Sequence, residues 1–153
     1  VIYRKNITIT DWKDFNPDPL DRWERPPIEV KFRIGNYTLT VYDIHAKPDD
    51  VRNELRALEN MVDKTGNILV MGDLNADCDY YNATNEIEFD RWNWIIGDTA
   101  DTTTSQTDCA YDRIILNDDA NLERVSYGID SQGIGKGVSD HYLVWVRMRG
   151  VER

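Results

Sequence analysis

The segment Ile68-Leu69-Val70-Met71-Gly72-Asp73-Leu74-Asn75 joins a short apolar run to a glycine, a carboxylate and a carboxamide. Four β-prone residues without polar alternation read as a strand buried on both faces, hence as part of a sheet covered by other layers. α/β proteins place their sites where such a strand leaves the sheet, which puts Asp73 and Asn75 in a useful position. Spaced by two on extended chain, their side chains can share one side. An ionised Asp suits a divalent cation or an attacking water, and Asn offers a neutral donor to an anionic oxygen. A strand-ending turn, with both side chains bonded to their own backbone, has the same composition.

Outward from this strand, Ile2 to Thr10 alternates and predicts an early strand, and the proline-rich stretch from Asp14 to Pro27 predicts a loop. Ile28 to Arg33 and Tyr37 to Ile44 flank Gly35-Asn36 as a hairpin would. After Lys47-Pro48, Asp49 or Asp50 can cap a helix carrying Val51, Leu55, Leu58 and Met61-Val62 on one face, ended by Gly66. Glu86 to Ile96, closed by Gly97, predicts a second helix. Asp112 to Leu116 and Tyr142 to Met148 predict the last strands. The order is that of an α/β layered domain with a mixed β-sheet and flanking helices, one domain spanning 1–153.

A chain of 153 residues should bury on the order of 70% of its extended surface, enough for one core. No apolar run approaches the roughly 20 residues that span a bilayer, so no membrane partner is expected. The chain opens on Val1-Ile2-Tyr3, without an initiator Met or signal-peptide pattern, as a processed or excised piece would. A net charge of −10 argues against broad capture of a polyanion. It leaves room for weak, salt-sensitive, cation-dependent binding.

The two histidines, His45 and His141, both sit at expected strand-loop junctions, behind Asp43-Ile44 and Asp140 respectively. A lone histidine is more often structural, but near neutral pH an imidazole can take a proton from water or give one to a leaving oxygen. Asp112 and Asp140 are candidates to fix its tautomer or bind metal. Thr102 to Thr107 is hydroxyl-rich and can hold phosphate oxygens, although solvated loops look alike. Arg25, Arg113 and Tyr111 could touch a phosphate, and Arg113 could equally lie on the surface. Cys78 and Cys109 allow one intramolecular pairing; two free thiols are the alternative. The triplets Asn6-Ile7-Thr8, Asn36-Tyr37-Thr38 and Asn82-Ala83-Thr84 fit a secreted glycoprotein, although such triplets also occur by chance.

Together, Asp43-Ile44-His45-Ala46-Lys47-Pro48-Asp49, Met71-Gly72-Asp73-Leu74-Asn75-Ala76-Asp77-Cys78, Asp98 to Thr103, Cys109-Ala110-Tyr111-Asp112-Arg113-Ile114 and Ser139-Asp140-His141-Tyr142 resemble the endonuclease/exonuclease/phosphatase superfamily. The resemblance is nearest to the pancreatic-type deoxyribonucleases and runs from about Tyr3 to Arg147. It implies that His45 and His141 are the general acid and base, with Asp112 orienting His141. It further implies that Asp73, Asn75 and Asp140 bind phosphate and a divalent metal, Mg²⁺ or else Ca²⁺ or Mn²⁺. Arg25, Thr103, Ser105, Thr107 and Tyr111 fall where the family contacts substrate phosphates. Cys78 and Cys109 match a family disulfide, which with the sequons tilts localisation outward rather than to the cytoplasm. The implied reaction is attack of water on a phosphodiester of DNA, leaving a 5′-phosphate.

The resemblance covers only the C-terminal part of the family's four-layer α/β/β/α sandwich. An early Asn, a metal-binding Glu and the Glu that buttresses the first histidine have no counterpart here. A lone half-sandwich would expose an apolar sheet face, so a separate N-terminal chain, a second copy or a compact variant is expected. An RNase or phosphatase of the superfamily, and a catalytically inert binding or assembly module, are the alternative functions.

Overall fold

A computed structural model describes residues 2–82 and 87–150. Among them, strand β4 (Ile68–Asp73) lies inside a six-stranded mixed sheet. Its neighbours are β3 (Tyr37–Asp43), running parallel, and β6 (Asp112–Leu116), running antiparallel. Strands β2 (Ile28–Ile34) and β1 (Thr8–Asp14) extend the sheet on one side by antiparallel pairing, and the two-residue β5 (Asn93–Trp94) ends it on the other. Helix α1 (Val51–Met61) crosses between β3 and β4 behind a single 3-10 turn at Pro48–Asp50, as parallel neighbours require.

The apolar run of β4 divides as its pleat dictates. Ile68 and Val70 face Val51, Leu55 and Leu58 of α1, together with Tyr42, Ile44 and Ile115. Leu69 and Met71 face the other way, onto an antiparallel ribbon of β7 (Arg124–Asp130) and β8 (Leu143–Met148) that contributes Ile129, Val144, Val146 and Met148. The second layer thus comes from the chain's own C-terminal ribbon. Beyond the ribbon's reach, Ile28, Val30 and Phe32 line an apolar groove with Val41 and Met71, and Trp12 is 67% exposed.

Several expectations need correction. The first strand does not span Ile2 to Thr10: the chain turns at residues 5–7, with Ile7 N–H donating to Arg4 O, and the strand runs to Asp14 inside the expected loop. This is an edge strand, mostly exposed and kinked by a register shift between Ile9 and Asp11, so side-chain alternation carried little information there. Helix α1 ends at Met61, and Gly66 instead supplies a positive φ in the turn to β4. Asp50 occupies the N-cap position, but its side chain accepts from Asn53 Nδ2 rather than from a backbone N–H.

The expected helix over Glu86 to Ile96, whose first residue lies outside the described residues, is a turn followed by β5. A helix needs its apolar residues on one face. Here Phe89, Trp92 and Trp94 join the α1 side of the sheet, Ile95 and Ile96 join the ribbon side, and Ile87 is 61% exposed. Ala83 and Thr84 of the third sequon likewise lie outside the described residues. The sequence reading assigned no element to helix α2 (Asp118–Glu123), whose N-cap Asn117 accepts from Ala120 N–H, nor to β7.

Cys78 and Cys109 form a disulfide across 31 residues of chain, with Cα atoms 5.9 Å apart. Beside it, Asp77 Oδ2 accepts from Ala110 N–H at 2.7 Å. The bridge therefore fastens the segment after Asn75 to the segment before Asp112. Loop-closure entropy for such a loop is about 3 kcal/mol. Reducing the bridge, or replacing both cysteines by serine, is expected to lower Tm by roughly 6–12 °C for a domain of this size, checked by melts with and without reductant.

Candidate active site

Register brings the site together. Asp73 and Asp112 are directly opposed across the β4–β6 ladder. The β3–β4 ladder continues past β3 through Ile44 N–H to Met71 O at 3.1 Å and Ala46 N–H to Asp73 O at 2.9 Å, which holds His45 between two backbone bonds. His45 Nε2 lies 3.2 Å from Asp73 Oδ2, and His141 Nε2 lies 3.8 Å from the same oxygen. On its other edge, His141 Nδ1 meets Asp112 Oδ2 at 2.6 Å. Two imidazole edges and two carboxylates thus converge from four separate segments.

His141 is fixed by the hydroxyl-rich loop. Thr103 bridges the His141 backbone, Thr104 N–H donates to Asp140 O, and Tyr142 N–H donates to Thr102 O. The fully buried Thr102 hydroxyl accepts from Tyr111 and Asp112 N–H and donates to Cys109 O. The sequence places Thr102 only at the head of a loop that can hold phosphate oxygens; its bonds to the backbone of Cys109, Tyr111 and Asp112 leave no signal there. Thr103 is itself buried, and its hydroxyl is engaged by Asp101 Oδ1, Ser105 Oγ and Thr107 O. Ser105 and Thr107 are exposed and bonded to each other, and Tyr111 packs at a tilt against Tyr80, 5.5 Å between centroids.

Asn75 is buried at a positive φ, and its Nδ2 donates to Ala46 O at 2.9 Å. Arg25 reaches the same strand end, donating from Nε to His45 O and from Nη2 to Ala46 O. Arg113 does not belong to the site. It is fully buried, donates to Ile96 and Ala76 carbonyls and pairs with Asp98, so neither a phosphate contact nor a surface position holds. Asp140 is exposed beside His141.

Burial by itself would lower the His141 pKa, but the hydrogen bond and charge of Asp112, with Asp73 and Asp140 behind, hold it above the ordinary histidine value. The Asp112 carboxyl is also raised, chiefly by burial, with the bond to His141 opposing without cancelling. An ion pair alone would have moved the two partners in opposite directions. Desolvation of Asp112 therefore outweighs its pairing.

The oxygen donors Asp73, Asn75 and Asp140 suit a hard cation, which takes one or two carboxylates and keeps waters. Among the described residues no three His, Cys, Asp or Glu side chains close around one point. No helix among the described residues is long and apolar enough to cross a membrane.

The chain belongs to the Endonuclease/Exonuclease/phosphatase family, whose pattern matches residues 1–141. Within it, the chain is 35% identical over 141 residues to deoxyribonuclease-1-like 2 of Mus musculus, covering 80% of this chain and 49% of that protein. It is also 35% identical over 128 residues to deoxyribonuclease-1 of Gallus gallus, covering 71% and 43%. The fold matches an endonuclease/exonuclease/phosphatase family protein from Leptotrichia buccalis with a TM-score of 0.66 at 16% identity, over 92% of this chain and 62% of that one. The chain spans about half the length of the curated relatives it matches. None of these matches supports a separate N-terminal chain or a second copy.

Proposed function

We propose that this chain carries a phosphodiesterase site that hydrolyses DNA. The observation that carries the reading is the convergence of His45 Nε2 and His141 Nε2 on Asp73, with Asp112 bonded to the far nitrogen of His141. A base held this way keeps one tautomer and is stabilised when it takes a proton. His141 Nε2 takes a proton from water, the water oxygen attacks phosphorus, the P–O3′ bond breaks, and a protonated His45 gives its proton to the leaving oxygen; exchange with solvent then moves the proton off His141 and restores the one on His45. The products are a 5′-phosphate and a 3′-hydroxyl. Arg25 steadies a phosphate beside His45, and the exposed Ser105 and Thr107 and the half-buried Tyr111 contact neighbouring phosphates. Thr103 contributes by holding the loop, since its hydroxyl is already engaged.

Asp73, Asn75 and Asp140 would hold a divalent cation, Mg²⁺ or else Ca²⁺ or Mn²⁺. When bound, it supplies charge neutralisation at the phosphoryl oxygens. In a chain of net charge −10 that neutralisation also governs affinity for DNA. The DNA assignment is supported by the deoxyribonucleases among the relatives. The disulfide and the exposed Asn6 and Asn36 of two sequons support a secreted protein.

Plasmid nicking tests the reading. Cleavage with Mg²⁺ plus Ca²⁺ is expected, lost in EDTA and reduced at least 10²-fold in His141→Ala, the span of one acid-base group. Preferential cleavage of RNA or a phosphomonoester would replace DNA as substrate. A folded wild type that cleaves none of these would leave the inert module.

A further inference from the structure

Glu54 sits inside α1, is 1% exposed and has no cationic partner among the described residues. A lone buried carboxylate is costly unless its oxygens are satisfied. Here they are satisfied by two backbone amides from different loops: Oε1 accepts from Glu24 N–H at 2.8 Å, and Oε2 accepts from Lys47 N–H at 3.0 Å. Each loop carries a site residue. Glu24 precedes Arg25, and Lys47 follows His45 and Ala46. The same two loops meet again at Arg25, which donates to His45 O and Ala46 O, and Ala46 O also receives Asn75 Nδ2. The helix backbone adds a third tie, Trp23 Nε1 to Glu54 O at 3.0 Å.

We infer that Glu54 is a positioning residue whose carboxylate clamps the Arg25 loop to the His45 loop and so sets His45, Arg25 and Asn75 relative to one another. Carboxylate geometry suits the task, because one planar group accepts from two donors at once. Glutamine cannot replace it: its NH₂ would face one of the amide N–H groups. Aspartate cannot either, since one methylene fewer cannot reach both loops from the same helix position. Position 54 in the first turn of α1 also favours a negative charge.

The rate measurement rests on the nuclease reading; the spectroscopic ones do not. In the wild-type chain, both the Glu24 and Lys47 amides should be protected from hydrogen exchange, and fast exchange at either overturns the clamp without any variant. In Glu54→Gln, the His45 ring and Asn75 side-chain NMR resonances should move while those of His141, held from β6 and the threonine loop, stay in place. Nicking kinetics should show kcat/KM down at least tenfold, with KM rising as well as kcat falling because both loops shift.

Glu123→Gln, at another buried glutamate far from the site, controls for general loosening. If it moves the same resonances, or if folded Glu54→Gln leaves His45 and Asn75 unmoved, the inference fails. A fall in kcat alone would mean lost folded protein and also overturns it. A wild type that cleaves nothing removes the nuclease reading and leaves the exchange and resonance tests to decide the clamp.

Discussion

Gly72→Ala is expected to destabilise the fold severely and to depress activity with it. At this position φ is +133°, a region that side chains rarely adopt. A Cβ there would overlap the Ile44 carbonyl oxygen, and would lie 2.9 Å from Asp43 Oδ1 and 3.1 Å from the Ile44 carbonyl carbon. The crowding atoms are mainly backbone, pinned by Ile44 N–H to Met71 O, so they cannot swing aside. Backbone strain of about 1–3 kcal/mol plus a clash in a close-packed ladder puts the loss at roughly 4 kcal/mol or more. Against a total stability of about 5–15 kcal/mol that removes from roughly a quarter to most of it.

The same bare Cα is what lets β4 lie close enough to the end of β3 for His45 to reach Asp73. Gly35→Ala is the control. There φ is +62° and nothing lies within 4 Å of a Cβ, so only the left-handed backbone cost of about 1–2 kcal/mol is expected. Urea melts of both variants check the pair, and equal losses would remove close approach as the reason for Gly72.

How much of the fold is legible in the sequence depends on how each signal is encoded. β4 was legible because four consecutive apolar residues have few places to go, and α1 because Val51, Leu55 and Leu58 repeat at helical spacing. β1 and the 86–96 segment were misread because one is a solvated edge and the other sends its side chains to opposite faces of the sheet. Within the candidate site, His45, Asp73, Asp112 and His141 stood out by residue type at strand ends, and the fold brings them together. Thr102 and Glu54 did not stand out, since their service is to backbone amides brought near by the fold. Hydrogen bonds to the main chain leave no compositional trace.

Asp112→Asn is expected to lower kcat by about 10²–10⁴, the range of losses when a buttressing carboxylate is removed and the imidazole tautomer goes wrong. The pH behaviour identifies the role. Because Asp112 holds the His141 pKa above the ordinary histidine value, a base role places the acidic limb of the rate profile at raised pH, and the variant should move that limb down. If His141 instead donates the proton, the alkaline limb carries the shift and moves down in the variant.

Stability gives an independent reading with a fixed sign. Both folded pKa values are raised, so these two groups bind more protons in the native chain than in the unfolded one, and their contribution to stability falls as pH rises through each window. For His141 the contribution is full below its unfolded value near 6.5 and is lost as pH climbs through the folded value. For Asp112 the loss begins above 3.8. Asp112→Asn removes the carboxyl and the main cause of the raised histidine, so its stability profile should be flatter in both windows. Denaturant midpoints between pH 4 and 9 measure this without substrate or metal. An unchanged slope above pH 6.5 would mean that the 2.6 Å contact does not govern His141.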